Sequence, residues 1–303
     1  MNMKPVLAAA FALAATAHGA ILVQELWDAA GSDVTLNGAG DTATSIGFAS
    51  GSTWATNGTY GTQIFTASNF DVEPLPGLPP QASTTGGVYW NAGPGNHWDT
   101  DIYATRQLAT TISFAEAQTL YFGVRLRNGS DTAVGLGFAD GPNNSANFVG
   151  IGFTWNNATG VGGSTGDASN SLYLSAGTLD QNLGGNNVGP YAILLHTAAG
   201  SIDGDGLVVG RLTLNPTGAD VIDLKLYQAG DTIEGDPADV TWSLQGAFES
   251  DLQASHMLLW LNGGGWGGEL DAIRVGTTWS EVPEPSAALL GILGLLALAR
   301  RRR

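Results

Sequence analysis

The chain has 303 residues, with 11 Lys and Arg against 27 Asp and Glu, so its formal net charge at neutral pH is −16. This excess of acidic residues argues against nucleic-acid binding, which depends on neutralisation of phosphates by Lys and Arg. The chain contains no Cys, which excludes disulfides, thiolate metal sites and a cysteine nucleophile. Its 43% hydrophobic residues and nine Trp are enough for a folded core.

Residues 1–19 have the pattern of a secretory signal peptide. Lys4 supplies a positive n-region, and the apolar stretch from Val6 to Ala17 is too short for a stop-transfer helix. Because Ala17 and Gly19 are small, we predict that signal peptidase cleaves after Gly19, with cleavage after Ala17 as the alternative. The sequence therefore predicts an N-terminal signal helix and an exported protein.

Residues 281–303 form a second signal. A Pro-Glu-Pro sequence precedes an apolar segment, and four consecutive Arg residues end the chain. As a helix, residues 286–299 would be about 20 Å long, shorter than the ~30 Å hydrocarbon core of a bilayer. The terminal arginines favour the cytoplasmic side of the membrane. We predict a short C-terminal transmembrane helix over residues 286–299.

The tail resembles a known sorting signal. Its motif, apolar helix and basic end match the PEP-CTERM signal, also called the ice-binding protein C-terminal domain, at Val282, Pro283, Glu284, Pro285, Arg300, Arg301, Arg302 and Arg303. The resemblance implies recognition by exosortase, a membrane protease and transpeptidase of Gram-negative bacteria. It also implies a transient anchor in the inner membrane, followed by release to the cell surface or the exopolysaccharide matrix. An ordinary tail anchor with a chance proline pair is the alternative.

Residues 20–280 are predicted to form one antiparallel β-sandwich. Short runs alternate apolar and polar residues, as in Thr119–Arg127, where the apolar residues share one face and the arginines the other. Clusters of Asn, Gly, Asp, Ser and Pro separate the runs, which is typical of turns. Many short strands with frequent turn signals indicate an all-β sandwich or barrel.

The order of the segments resembles the concanavalin-like (laminin-G-like) jelly rolls that accompany PEP-CTERM tails. Arg106–Leu108 followed by Thr119–Phe122 resembles their paired central strands, and Asp271–Trp279 resembles the strand that closes such a body before the tail. The resemblance implies a jelly-roll β-sandwich and implies little about function.

The segment from Tyr89 to Asp101 combines aromatic rings with hydrogen-bonding side chains on a Gly/Pro loop. Pyranose rings stack on aromatic faces, and polar side chains bind their hydroxyl groups. The sequence thus offers a carbohydrate-binding site at Tyr89, Trp90, Asn91, Asn96, His97, Trp98 and Asp99. The favoured alternative is that Trp90 and Trp98 close one end of the sandwich. Trp260–Trp266 is a weaker second candidate, for which a structural role is favoured.

No motif predicts catalysis. A jelly-roll glycoside hydrolase needs two carboxylates about 5–9 Å apart. The nearest pattern is Glu269-Leu270-Asp271, but Arg274 occupies the third acidic position, and a turn on an edge strand is the simpler interpretation. Gly162–Gly166 fits the Gly-x-Ser-x-Gly motif but lacks the buried strand before it and the helix after it.

A calcium site is a minor alternative. Asp203-Gly204-Asp205-Gly206 begins like a calcium loop but lacks the later oxygen ligands and the bidentate Glu. A plain Asp-Gly turn is favoured, and Ca²⁺ held by Asp203 and Asp205 is the alternative. His97, His196 and His256 lack the spacing of a zinc site, and no other cofactor is predicted.

Together these patterns predict an exported, non-enzymatic protein with a structural or adhesive role, sorted to the cell surface or extracellular matrix. Weak binding of exopolysaccharide is the sharpest form of this prediction. The alternatives are a secreted carbohydrate-active enzyme with an unrecognised carboxylate pair and a calcium-dependent adhesion module. Residues 20–283 carry 6 basic and 26 acidic residues, a net charge of −20, which attracts divalent cations and disfavours anionic membranes.

Overall fold

The computed structural model describes residues 19–25, 34–36, 38, 45–57, 64–66, 88–91, 102–127, 132–143, 145–154, 171–179, 193–198, 206–228, 230–263 and 266–282. Within these ranges no helix is long and apolar enough to cross a membrane. The predicted signal helix and the predicted helix over residues 286–299 lie outside them.

The described elements are strands and one short 3-10 helix, Trp279–Glu281. The strands are β1 (Ile21–Glu25), β2 (Val34–Thr35), β3 (Ala55–Asn57), β4 (Ile64–Thr66), β5 (Val88–Asn91), β6 (Ile102–Ser113), β7 (Gln118–Arg127), β8 (Thr132–Ala139), β9 (Asn147–Thr154), β10 (Ser171–Thr178), β11 (Ile193–His196), β12 (Gly206–Leu214), β13 (Asp220–Tyr227), β14 (Leu244–Phe248), β15 (Gln253–Gly263) and β16 (Trp266–Gly276).

The strands form two antiparallel sheets. The nine-stranded sheet has the order β14-β13-β12-β7-β16-β5-β4-β2, and β1 also pairs with β16. The seven-stranded sheet has the order β11-β10-β9-β8-β15-β6-β3. The predicted all-β architecture with two antiparallel sheets is therefore confirmed.

The core lies between the sheets and follows the predicted alternation. On β7, Leu120, Phe122, Val124 and Leu126 are at most 5% exposed and belong to one apolar cluster. Strands of the opposite sheet contribute the other half of this cluster, including Leu136 of β8. Since burial of each such side chain is worth about 1.5–3 kcal/mol, the period-two pattern fixes which face of each strand points inward.

The expected pairing of the segments around Arg106 and Leu120 is wrong. The first lies in β6, which pairs with β15 and β3, whereas the second lies in β7, which pairs with β12 and β16. The chain crosses from one sheet to the other at Phe114–Ala117, between the two strands. Alternation identifies the buried face of a strand but not its neighbour, because both sheets present apolar faces to the same core.

Strand β16 changes neighbours part-way along its length. Its N-terminal half pairs with β5 and its C-terminal end pairs with β1, while β7 runs along its other edge. The register shifts between Asp271 and Arg274, where Ala272 has a φ of 50°. Such an irregularity bends a strand and re-aims its side chains. Asp271 is therefore in an interior strand, not at the edge-strand turn that the sequence suggested.

A partial third layer covers the outer face of the nine-stranded sheet. Leu207 and Val209 of β12 and Tyr227 of β13 point away from the main core and are at most 7% exposed. They pack against Trp279 and Val282 at the end of the described chain. The arginine face of the sheet is consequently covered in part, and Arg125 is only 3% exposed.

A buried ion pair connects the two sheets. Glu25 of β1 and Arg106 of β6 are 2.7 Å apart, and their side chains are 1% and 0% exposed. The hydroxyl of Ser45 donates to the same carboxylate oxygen over 2.9 Å. The Arg106 guanidinium also lies over the ring of Phe48, 4.0 Å from its centre. Both charged side chains are therefore removed from water and lie in direct contact with each other.

We expect Glu25→Gln to lower the free energy of unfolding by about 3–5 kcal/mol, because it removes a negative charge that lies 2.7 Å from a buried guanidinium. The paired variant Glu25→Leu with Arg106→Met should regain much of that loss, since it removes both charges. Urea unfolding monitored by Trp fluorescence measures both effects. A single variant within about 1 kcal/mol of the parent would contradict this account of the pair.

Candidate functional sites

The predicted carbohydrate segment begins in a strand rather than on a loop. Tyr89, Trp90 and Asn91 belong to β5, inside the nine-stranded sheet between β16 and β4. Asn96, His97, Trp98 and Asp99 lie outside the described residues. Residues 88–91 form a strand because they pair with β16 on one side and β4 on the other. Because of the Gly and Pro residues after Asn91, the sequence predicted a loop here.

The structure brings the two aromatic segments together through strand pairing. Asn91 of β5 stands opposite Trp266 of β16, and Tyr89 stands opposite Glu269. The register shifts between these two pairs. Residues that the sequence separates by more than a hundred positions are thus neighbours in one sheet, and two aromatic-rich stretches meet at the ends of β5 and β16.

Trp260 has a structural role, as its sequence context favoured. It is 1% exposed on the outer face of the seven-stranded sheet, where its indole N–H donates to the Tyr173 hydroxyl over 2.8 Å. A methyl group on Gly135 or Gly150 would lie 2.1 or 2.4 Å from ring carbons of Trp260. Only glycine therefore leaves room for the indole ring against this sheet.

The predicted calcium residues, Asp203 and Asp205, lie outside the described residues, immediately before β12. Among the residues that the structure describes, no three His, Asp or Glu side chains come together as a metal site. The Gly162–Gly166 segment also lies outside the described part of the chain.

In the acidic sequence on β16, the carboxylate of Asp271 accepts a hydrogen bond from the backbone. Asp271 is 3% exposed, and its Oδ1 accepts the backbone N–H of Ala272 over 2.6 Å. Arg125 of the neighbouring strand stands opposite Asp271 in the ladder. This carboxylate stabilises the positive φ of Ala272 and faces a strand that carries a buried arginine.

A serine–histidine contact on β15 was not predicted. The Ser255 hydroxyl lies 2.8 Å from Nδ1 of His256 and 2.8 Å from the backbone carbonyl oxygen of Asp140. A carbonyl oxygen can only accept, so the single hydroxyl proton is donated to Asp140 and Nδ1 of His256 is the donor to Ser255. A general base must accept the proton of its nucleophile, which this arrangement does not provide.

The carboxylate of Asp140 is also engaged elsewhere. Its two oxygens accept the backbone and side-chain N–H groups of Asn147, each over 2.8 Å, across the turn between β8 and β9. The three residue types of a hydrolytic triad are therefore close together, but their hydrogen bonds hold a turn. A search for Ser and His neighbours on one strand would have found the pair, and only the structure reveals the direction of the proton.

Glu234 fastens the third layer of the nine-stranded sheet. Its carboxylate accepts the hydroxyl of Tyr227 over 2.5 Å, and its backbone carbonyl accepts the indole N–H of Trp279 over 2.7 Å. Burial, together with the Glu234 carboxylate, raises the pKa of Tyr227 far above its usual range. Trp279 in turn meets Tyr121 and Trp242 edge to face, with ring centres 5.9 and 6.1 Å apart.

A charged network lies beside these rings on the same face. Nε and Nη2 of Arg211 donate to one oxygen of Asp223 over 2.8 and 2.7 Å, and Gln245 donates to the other over 2.9 Å. The Arg211 guanidinium lies 5.2 Å from the ring centre of Trp242. The partners of Asp223 come from both neighbouring strands, so the network holds β12, β13 and β14 in register.

The sorting motif is described only at its first residue. Val282 is 3% exposed, and its backbone N–H donates to the carbonyl of Trp279 over 3.2 Å. A methyl group on Gly123 of β7 would lie 2.8 Å from Cγ1 of Val282, so the valine rests directly on the sheet. Pro283, Glu284, Pro285 and the arginines at 300–303 lie outside the described residues.

We expect the stability of the protein to fall as the pH drops below about 6.5 through His256, because burial lowers the pKa of this side chain in the folded state. The nearby charge of Asp140 offsets part of that effect. Above the unfolded pKa both states are neutral, and below it the unfolded chain binds the proton more tightly. His256→Gln should therefore lose less stability than the parent between pH 7.5 and 5, measured by urea unfolding. Identical losses in the two proteins would contradict the assignment.

No family model matches the chain, and no curated protein matches it. Solved structures resemble its backbone at low identity. The VIP36 exoplasmic/lumenal domain in a Ca²⁺- and mannose-bound form is 9% identical, with a TM-score of 0.38 over 72% of this chain and 84% of that chain. The carbohydrate recognition domain of Emp47p is 9% identical, with a TM-score of 0.36 over 71% and 88%. SO2946 of Shewanella oneidensis MR-1, a protein of unknown function, is 10% identical, with a TM-score of 0.34 over 74% and 86%. No activity or ligand follows from these values for this chain.

Proposed function

We propose that this chain is an exported, non-catalytic protein with a structural or adhesive role. In this proposal signal peptidase removes residues 1–19, and an exosortase then recognises the PEP-CTERM-like tail at Pro283-Glu284-Pro285. The tail helix anchors the chain transiently in the inner membrane of a Gram-negative bacterium. The body, a concanavalin-like jelly roll, is finally displayed at the cell surface or in the extracellular matrix.

The position of Val282 carries this proposal. Val282 is the first residue of the proposed motif and the last described residue, and it is buried against β7. Burial of a valine is worth about 1.5–3 kcal/mol, so the body holds its C-terminal end up to this residue. The first residue of the proposed motif is therefore itself packed on the body.

Carbohydrate binding is the sharper form of the adhesive role. Its support is the pairing of Asn91 with Trp266, which joins the two aromatic segments that the sequence singled out. A strand pair whose sequence carries aromatic, amide and carboxylate residues suits the apolar faces and the hydroxyl groups of a pyranose. The polymer that we propose as the partner is the exopolysaccharide of the matrix.

Replacement of Pro283-Glu284-Pro285 by three Ala residues should abolish processing and leave the protein in the inner-membrane fraction. The expected cause is loss of recognition by the exosortase, since the substitution removes the Pro-Glu-Pro sequence of the motif. Membrane fractionation and immunoblotting measure the distribution of the protein. The matched control is Ser280→Ala, an exposed residue just before the motif, which should be processed like the parent. Normal release of the triple-Ala variant would contradict the sorting proposal.

Matrix polysaccharide should change the Trp fluorescence of the parent, and Trp266→Ala or Trp98→Ala should reduce this change several-fold. Trp242→Ala removes a tryptophan from the outer face of the nine-stranded sheet and serves as the control that keeps the response. Equal responses of all four proteins would contradict carbohydrate binding at this place. Release of reducing sugar would favour the carbohydrate-active enzyme, and a lower Tm in EDTA would favour the calcium-dependent module.

A further inference from the structure

The two ends of the described body are held together at one corner. Strand β1 pairs with the end of β16, with Ile21 opposite Gly276. Just before β1, the backbone N–H of Ala20 donates to the Thr277 hydroxyl over 3.0 Å. The carbonyl of Ala20 accepts the N–H of Thr277 over 3.1 Å. The residue that follows the predicted signal-peptide cleavage site is thus bound to the segment that leads into the sorting motif.

Gly19 is close to the same segment. A methyl group in place of its hydrogen would lie 2.3 Å from the Thr278 hydroxyl oxygen. No residue with a Cβ atom could take this position without displacing Thr278. The peptide bond between Gly19 and Ala20 therefore lies next to Thr277 and Thr278, which lead into the 3-10 helix.

Glu281 supplies an unsatisfied acceptor at this corner. Its Oε2 atom is buried and has no hydrogen-bond donor among the described residues. Oε2 and the carbonyl oxygen of Ala20 lie 3.3 and 3.5 Å from the position that a methyl group on Gly276 would take. Both atoms therefore lie next to the same glycine of β16. A buried carboxylate oxygen without a donor is costly, and a cationic donor is the partner that stabilises it most.

We propose that removal of the signal peptide completes this corner by creating a charged partner for Glu281. In the hydrolysis of the Gly19–Ala20 bond, water adds across the bond and Gly19 leaves as a carboxylate. Ala20 retains the nitrogen and takes up the released proton as an ammonium group. The amide of the precursor has one N–H, which Thr277 uses, whereas the ammonium group has three and can also donate to Oε2 of Glu281.

This pairing makes the corner a sensor of N-terminal processing. The new ion pair links the start of β1 to the 3-10 helix Trp279–Glu281, whose next residue begins the sorting motif. Removal of the signal peptide thereby stabilises the contact between the start of β1 and the segment that precedes the sorting motif. The inference rests on the proposed function in one respect, because it requires cleavage after Gly19.

The test is a four-protein cycle with full-length precursors that are exported and purified after processing. One pair differs by Glu281→Gln and begins at Ala20. The second pair carries the same difference but has an additional His-Gly inserted after Gly19, which moves the ammonium group two residues away from Ala20. Intact mass identifies the first residue of each product, and thermal unfolding gives its Tm.

Glu281→Gln should lower Tm by about 2–4 °C in the chain that begins at Ala20 and by much less in the extended chain. Glu116→Gln, an exposed acidic residue in the turn between β6 and β7, is the control for loss of one negative charge and should leave Tm unchanged in both. Gln is isosteric with Glu, so the fold of the variant is retained.

Two results would overturn the proposal, and they are distinguishable. Equal effects of Glu281→Gln in both pairs, with the mass showing Ala20 as the first residue, would disprove the ion pair and leave the export proposal standing. A mass that begins at Met1 or His18 would contradict the predicted cleavage itself, and the ion pair would fall with it.

Discussion

The hydrogen-bond ladder of β16 is the constraint on which the rest of the body depends. One edge of this strand is occupied by β7, and the other is shared by β5 and β1. The change from β5 to β1 coincides with the irregularity at Ala272, whose positive φ costs about 1–3 kcal/mol in a non-glycine residue. The hydrogen bond from its N–H to Asp271 offsets part of this cost.

Because β16 is both a central strand and the last of the described strands, the residues that follow it up to Val282 are packed on the sheet. The segment after it turns back over the sheet, where Trp279 and Val282 cover residues of β7 and β12. Glu234 holds this segment through its carbonyl and holds Tyr227 through its carboxylate. The contacts that build the third layer therefore reach as far as Val282, the first residue of the proposed sorting motif.

The predictable part of this fold is the part that depends on local pattern. Leu120 to Leu126 alternate as the sequence indicates, and their burial confirms the predicted face of β7. The opposite face carries the arginines, as predicted, and Arg125 on this face is only 3% exposed, which the alternation alone does not indicate. Neither the pairing of Asn91 with Trp266 nor the ion pair of Glu25 with Arg106 has a local signature. Strand partners are set by the whole topology, and a buried charge looks like a surface charge in sequence.

The central claim is that the mature protein is bounded by two processing events, one before Ala20 and one beyond Val282. Intact mass of the protein recovered from the native envelope and from the medium tests this claim most directly. We predict a mass that lacks residues 1–19 and the segment after Pro285. A mass that retains residues 1–19 or the terminal arginines would contradict it, since the first means no cleavage after Gly19 and the second means a simple membrane anchor.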